Sequence, residues 1–135
     1  MSAHPILSLK AAIRTHLLAD GALAAALGGA VYDAPPRGSN PPFLVLGDAN
    51  ARENATSDAD GRIIDLELAI YTKERGSRTA LLLAAKVEIL LEGANLTLDA
   101  HRLIALSYRE TQTRHDPKTE ITRASMKLRA YTEPL

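Results

Sequence analysis

An α+β fold, with a mainly antiparallel four- to five-stranded sheet and helices packed on one face, is what this 135-residue chain predicts. Three observations carry that reading. Apolar residues recur at three- and four-residue spacing over 5–19 and 78–91, the period of a helix with one buried stripe. They recur at every second position over 63–72 and 121–132, the period of a strand with one buried face. Glycine and proline cluster between these runs, where they punctuate the chain. Strands with one polar face suit an antiparallel sheet solvated on one side. A chain of this size buries roughly two-thirds of its unfolded surface, so residues 1–135 read as one domain without repeat or linker.

The elements follow in order. Pro5 suits a first helical turn, and Ile6, Leu9, Ile13 and Leu17 form a stripe over 5–19. Asp20 can cap a short second helix, Gly21–Leu27, which Gly28-Gly29 ends. Val31-Tyr32 forms at most a brief strand, and the four prolines of 33–42 make a loop. Phe43–Gly47 is a short apolar run, read as a buried strand, and polar, aperiodic 48–60 as a mobile loop. In the next strand Ile64, Leu66, Leu68 and Ile70 share one face, with Asp65 and Glu67 on the other. Ser77 can cap a helix over 78–91 with Leu83, Val87, Leu90 and Leu91 inward and Gly93 at the stop. Ile104, Leu106 and Tyr108 alternate in a further strand. Past His115-Asp116-Pro117, the last strand turns Ala124, Met126, Leu128 and Ala130 inward and Arg123, Lys127 and Arg129 outward.

Composition excludes more than it selects. Zero cysteines remove disulfides, thiolate metal sites and a cysteine nucleophile. Sixteen basic residues balance sixteen acidic ones, against a protein that binds nucleic acid through bulk charge. Five aromatics leave little for base stacking. The longest apolar stretch, 80–91, is interrupted by Lys86 and Glu88 and is too short to span a bilayer. No signal-peptide pattern opens the chain, which therefore reads as cytoplasmic. His4, His16, His101 and His115 show no ligand or catalytic spacing. Asp58, Asp60, Gly61, Ile63 and Glu67 match part of a calcium-loop pattern, but Thr56 stands where its first acid belongs and a strand follows. Neither a phosphate-binding glycine loop nor a nucleophile elbow occurs. No metal or cofactor is expected.

Charge is unevenly placed. Residues 48–67 hold six acids and two bases, a net of −4; residues 101–135 hold seven bases and four acids, a net of +3. Cross-strand pairing of Asp65 and Glu67 with Arg123 or Lys127 is one account. Head-to-tail self-association through unlike patches is the other.

Several patterns in order along nearly the whole chain resemble the tail-terminator, or tail-completion, proteins of long-tailed phages, prophages and gene transfer agents. They are Leu17-Leu18-Ala19-Asp20-Gly21-Ala22-Leu23-Ala24, Gly29 with Val31-Tyr32-Asp33, and Pro41-Pro42-Phe43-Leu44-Val45-Leu46-Gly47. Further on come 66–71 before a Leu/Ala-rich helix, His101-Arg102-Leu103, His115-Asp116-Pro117 and Ala130-Tyr131-Thr132-Glu133-Pro134. One departure is Ile70-Tyr71-Thr72, where relatives often place another aromatic before a serine. The resemblance implies a non-enzymatic virion protein at the head–tail junction. It would form a homo-hexameric ring that caps the tail tube and meets a head-side connector or stopper, with genomic DNA passing through the lumen without specific binding. It would assemble in the bacterial cytoplasm and end in the virion or gene transfer agent particle, without a membrane. Two contact sets follow as expectations. Arg123, Lys127 and Arg129 would meet Asp65 and Glu67 of a neighbouring subunit. Arg52, Glu53, Asp58 and Asp60 would form a loop that touches the tail tube or a neighbour. The alternative is a small nucleic-acid-binding or other phage-encoded accessory module.

Overall fold

The computed structural model describes residues 4–56 and 60–135. Helix α1 (Pro5–Leu18) begins where His4 Nδ1 accepts the Ile6 N–H at 3.1 Å, and it buries Leu9, Ile13 and Leu17. Helix α2 (Gly21–Leu27) is capped by Asp20, whose carboxylate accepts the Leu23 N–H at 3.0 Å. It stops at Gly28, in the left-handed conformation that a helix C-terminus favours (φ 59°). After these come β1 (Val31–Tyr32), β2 (Phe43–Glu53), β3 (Arg62–Lys73), α3 (Arg78–Leu91), β4 (Thr97–Leu98), β5 (His101–Asp116) and β6 (Ile121–Pro134).

The sheet order is β1-β2-β3-β6-β5-β4, with β1 parallel to β2 and every other neighbour antiparallel. Six strands replace the four to five expected, because β4 is two residues long and too short to show a period. At the centre, Ile64, Leu66, Leu68 and Ile70 of β3 lie opposite Ala130, Leu128, Met126 and Ala124 of β6. All eight are buried in the core with α1, α2 and α3. Alternation therefore turns Asp65, Glu67 and Tyr71 to the other face.

Two strands run longer than their apolar runs suggest, and bulges explain both. In β2 the register shifts between Leu46 and Ala49, so the core-facing series passes from Leu44 and Leu46 to Ala49 and Ala51. The extra residue changes phase and hides a strand in what reads as the first part of a mobile loop; β2 continues to Glu53. In β5 the register shifts at Leu103/Ala105 and again at Tyr108/Glu110. Ile104 falls in the first bulge and is exposed, whereas Leu106 and Tyr108 lie opposite the buried Ala130 and Leu128.

Ser77 precedes α3 but makes no side-chain cap. Glu74 reaches across instead: its carboxylate accepts the Thr79 N–H at 2.9 Å, the Ala80 N–H at 3.0 Å and the Thr72 hydroxyl at 2.5 Å. Partial burial pushes this carboxyl up, but those hydrogen bonds and the nearby His115 outweigh it and leave it below the usual range. A depressed carboxylate stabilises the fold above its unfolded pKa, and that contribution disappears as pH falls through the folded value. Glu74→Ala is expected to lower stability by about 1 kcal/mol at pH 7, as loss of a helix cap does. Urea titrations should show the gap from wild type narrowing once pH drops below the ordinary carboxylate range.

Candidate functional site

With the helices on one side, the opposite face of β2, β3, β6 and β5 has no helix over it. Alternation gathers there the polar residues of four strands. Asp65 lies opposite Arg129, and Glu67 opposite Lys127. Arg129 Nε donates to Asp65 Oδ1 at 2.8 Å, and Arg52 of β2 donates from Nη1 to Oδ2 at 2.5 Å. Arg123 donates from Nη2 to Glu67 Oε1 at 2.6 Å and from Nε to the Tyr71 hydroxyl at 3.0 Å. Its guanidinium stands 5.9 Å from the Tyr71 ring centroid, and Tyr71 stacks on Phe43 at 4.9 Å. Lys127 pairs with Glu110 of β5 at 3.5 Å.

The hydrogen bond from Arg129 holds the Asp65 carboxyl below the usual range; partial burial opposes this, and Arg52 adds to it. Asp65 is thus held charged, and it and Glu67 are each paired with neighbouring cations. Such a surface presents alternating charge with little net field.

The face is concave. Asp48, Asn50, Asp65, Glu67, Glu110 and Lys127, from all four long strands, line an open cleft of about 480 Å³. The β2 bulge at Gly47-Asp48 and the β5 bulge at Arg109 lie toward its two sides, and bulges increase local bend and twist. Gly47 suits the first: a Cβ there would sit tightly against the Glu67 carbonyl oxygen, 3.2 Å away. His16 Nε2 bonds the Leu90 carbonyl at 2.8 Å and His115 Nδ1 the Thr122 hydroxyl at 2.8 Å, both in the fold's framework. Among the described residues no group of three His, Cys, Asp or Glu could hold a metal ion.

The structure brings Asp65, Glu67, Arg123, Lys127 and Arg129 together inside one chain, with Arg52 added. Glu53 ends β2, and Asp60 (φ 57°) accepts from Arg62, two residues on, at 3.2 Å. Asp58 lies outside the described residues. Sequence reasoning missed Tyr71, although it shares the two-residue phase of Asp65 and Glu67. It also missed Glu110, whose phase the Arg109 bulge conceals.

The model of the tail completion protein gp17 family matches residues 11–133. The chain belongs to that family. A chain of the virion of a native gene transfer agent particle is similar to this tail completion protein over nearly its whole length. The two share 32% identity across 98% of this chain and 99% of the other, with a TM-score of 0.87. No curated protein matches.

For this tail completion protein, Asp65→Asn is expected to lower stability by at most about 1 kcal/mol, since its partners are partly exposed. The loss should shrink in 1 M salt and at pH values below the depressed carboxyl, where the wild-type pair is itself lost. Urea midpoints at low and high salt check both.

Proposed function

We propose that this chain terminates a phage-type tail: six copies close into a ring on the head-proximal end of the tail tube, stop its growth and receive the head-side connector. The observation that carries this is the likeness, end to end, to a chain of a gene transfer agent virion. The reading makes the protein structural rather than catalytic and places it in the finished particle after assembly in the cytoplasm.

The curvature of the open face supports one orientation within the ring. A wall concave across its strands fits around a lumen, with α1, α2 and α3 outside. Asp65, Glu67, Arg123, Lys127 and Arg129 then form the inner wall, with Lys127 and Glu110 on the flank nearest a neighbouring subunit. DNA passing such a wall meets cations already paired with carboxylates, and so gains little from phosphate contact. The connection between β2 and β3, which Arg52 and Glu53 precede and which contains Asp58 and Asp60, is the part assigned to the tube contact.

Loss of the gene in the producing strain is expected to give overlong tails and unjoined heads in negative-stain micrographs. Removal of residues 54–60 alone should leave a folded protein with the same assembly defect. Tails of normal length joined to heads in the null strain would overturn the reading. Normal particles from the deletion variant would remove that connection from the tube contact.

A further inference from the structure

Among the described residues the sheet has two bare edges. β1 covers only Leu44 and Val45 of β2, leaving 46–53 without a neighbour on that side. β4 covers only His101 and Arg102 of β5, leaving 103–116 equally bare. Bare edges carry unpaired backbone donors and acceptors and are templates for another strand.

We propose that these two edges join to each other between neighbouring subunits, β5 of one pairing antiparallel with β2 of the next, so that the ring carries one continuous sheet. The proposal rests on the ring reading above and specifies its contact.

Strand direction is the first argument. The four long strands β2, β3, β6 and β5 alternate in direction. Because their number is even, the two outer ones run oppositely. Rotating a copy about an axis along the strands preserves both strand direction and the inward face. It therefore sets the next β2 antiparallel beside β5, with helices on the same side. A head-to-tail contact of this kind generates a ring when its rotation closes.

Charge is the second argument. Asp48 and Glu53 on the β2 edge, and Arg109 and Arg114 on the β5 edge, make no ion pair among the described residues. One edge thus holds two spare acids and the other two spare bases. One register brings opposite charges together on the open face. With Asn50 opposite Gln112, Arg52 meets Glu110 and Asp48 meets Arg114 on the open face, while Glu53, in the phase of Ala51, faces the helix side and Arg109, in the bulge, lines the cleft. In the same register Ala49 and Ala51 lie opposite Thr113 and Thr111, which pair with the core-facing Ala124 and Met126, so the faces agree. A shift of two residues one way sets Asp48 against Asp116, and the other way sets Arg52 against Tyr108 across the bulge. Opposed unlike charges favour a strand pair and opposed like charges disfavour it.

The chain has no cysteine, so an engineered pair reports alone. Asn50→Cys with Gln112→Cys would place two thiols on facing residues about 4.5–5.5 Å apart at Cα, within disulfide reach. Inside one chain the two strands stand three spacings apart, roughly 14 Å, which prevents closure. Mild oxidation, of purified protein and of particles from producing cells, is expected to give covalent multimers up to the whole ring on non-reducing gels. Asn50→Cys with Arg114→Cys, two residues out of register, should give none. Both pairs lie at exposed positions and should keep the wild-type melting temperature, which excludes misfolding as the cause of a negative result. Independently, Asp48→Arg and Arg114→Asp should each raise the concentration needed for ring assembly several-fold, and together restore it. Wild-type rings by light scattering or microscopy, with no covalent multimers from the in-register pair, would overturn edge pairing and leave the ring intact. Monomers in solution and in particles alike would overturn both.

Discussion

A one-residue slip between β3 and β6 would turn Ile64, Leu66, Leu68 and Ile70 out of the core and set Asp65 and Glu67 into it. That pairing runs without a bulge from Arg62–Thr132 to Lys73–Ile121, and every other feature takes its place from it. The apolar phase gives α1, α2 and α3 a surface to cover. The polar phase sets Asp65 beside Arg129 and Glu67 within reach of Arg123. Burying one carboxylate of this row without its partner would cost several kcal/mol, so the hydrophobic and ionic preferences enforce the same register.

Irregularity is confined to the strands outside this pair. β2 and β5 each carry a bulge beside the cleft, and together these bend the sheet around its charged side. Gly47 suits the β2 bulge, since a Cβ there would sit tightly against the Glu67 carbonyl. The centre is thus straight and regular, and the curvature comes from the flanks.

The sequence was most legible where one period holds without interruption. The stripe of α1, the Asp20 cap and Gly28 stop of α2, and the alternation of β3 and β6 can each be read from residue type alone. Legibility failed where phase changes. Gly47-Asp48 turns a single eleven-residue strand into an apolar run followed by apparent loop, and Arg109 removes Glu110 from the expected face. It failed again where a long-range partner replaced a local one, as when Glu74 rather than Ser77 satisfies the first turn of α3. The charge split between 48–67 and 101–135 was visible, but its meaning depended on strand order. That order sets the acidic β3 directly against the basic β6 and leaves the unspent charges at the margins.

The bulges that shape the cleft also shorten the bare edges. Uninterrupted strand remains only over 49–53 on β2 and 110–116 on β5, and so short a ladder is marginal in water for two chains alone. Under edge pairing, a closed hexamer would hold six such contacts where an open row holds five. The sixth would form at high effective concentration, with no further loss of translational freedom. Short edges would therefore favour a cooperative object, complete or absent, over a distribution of partial rows. A protein with the same fold and straight, unbroken edges would associate at each encounter and drift toward fibres.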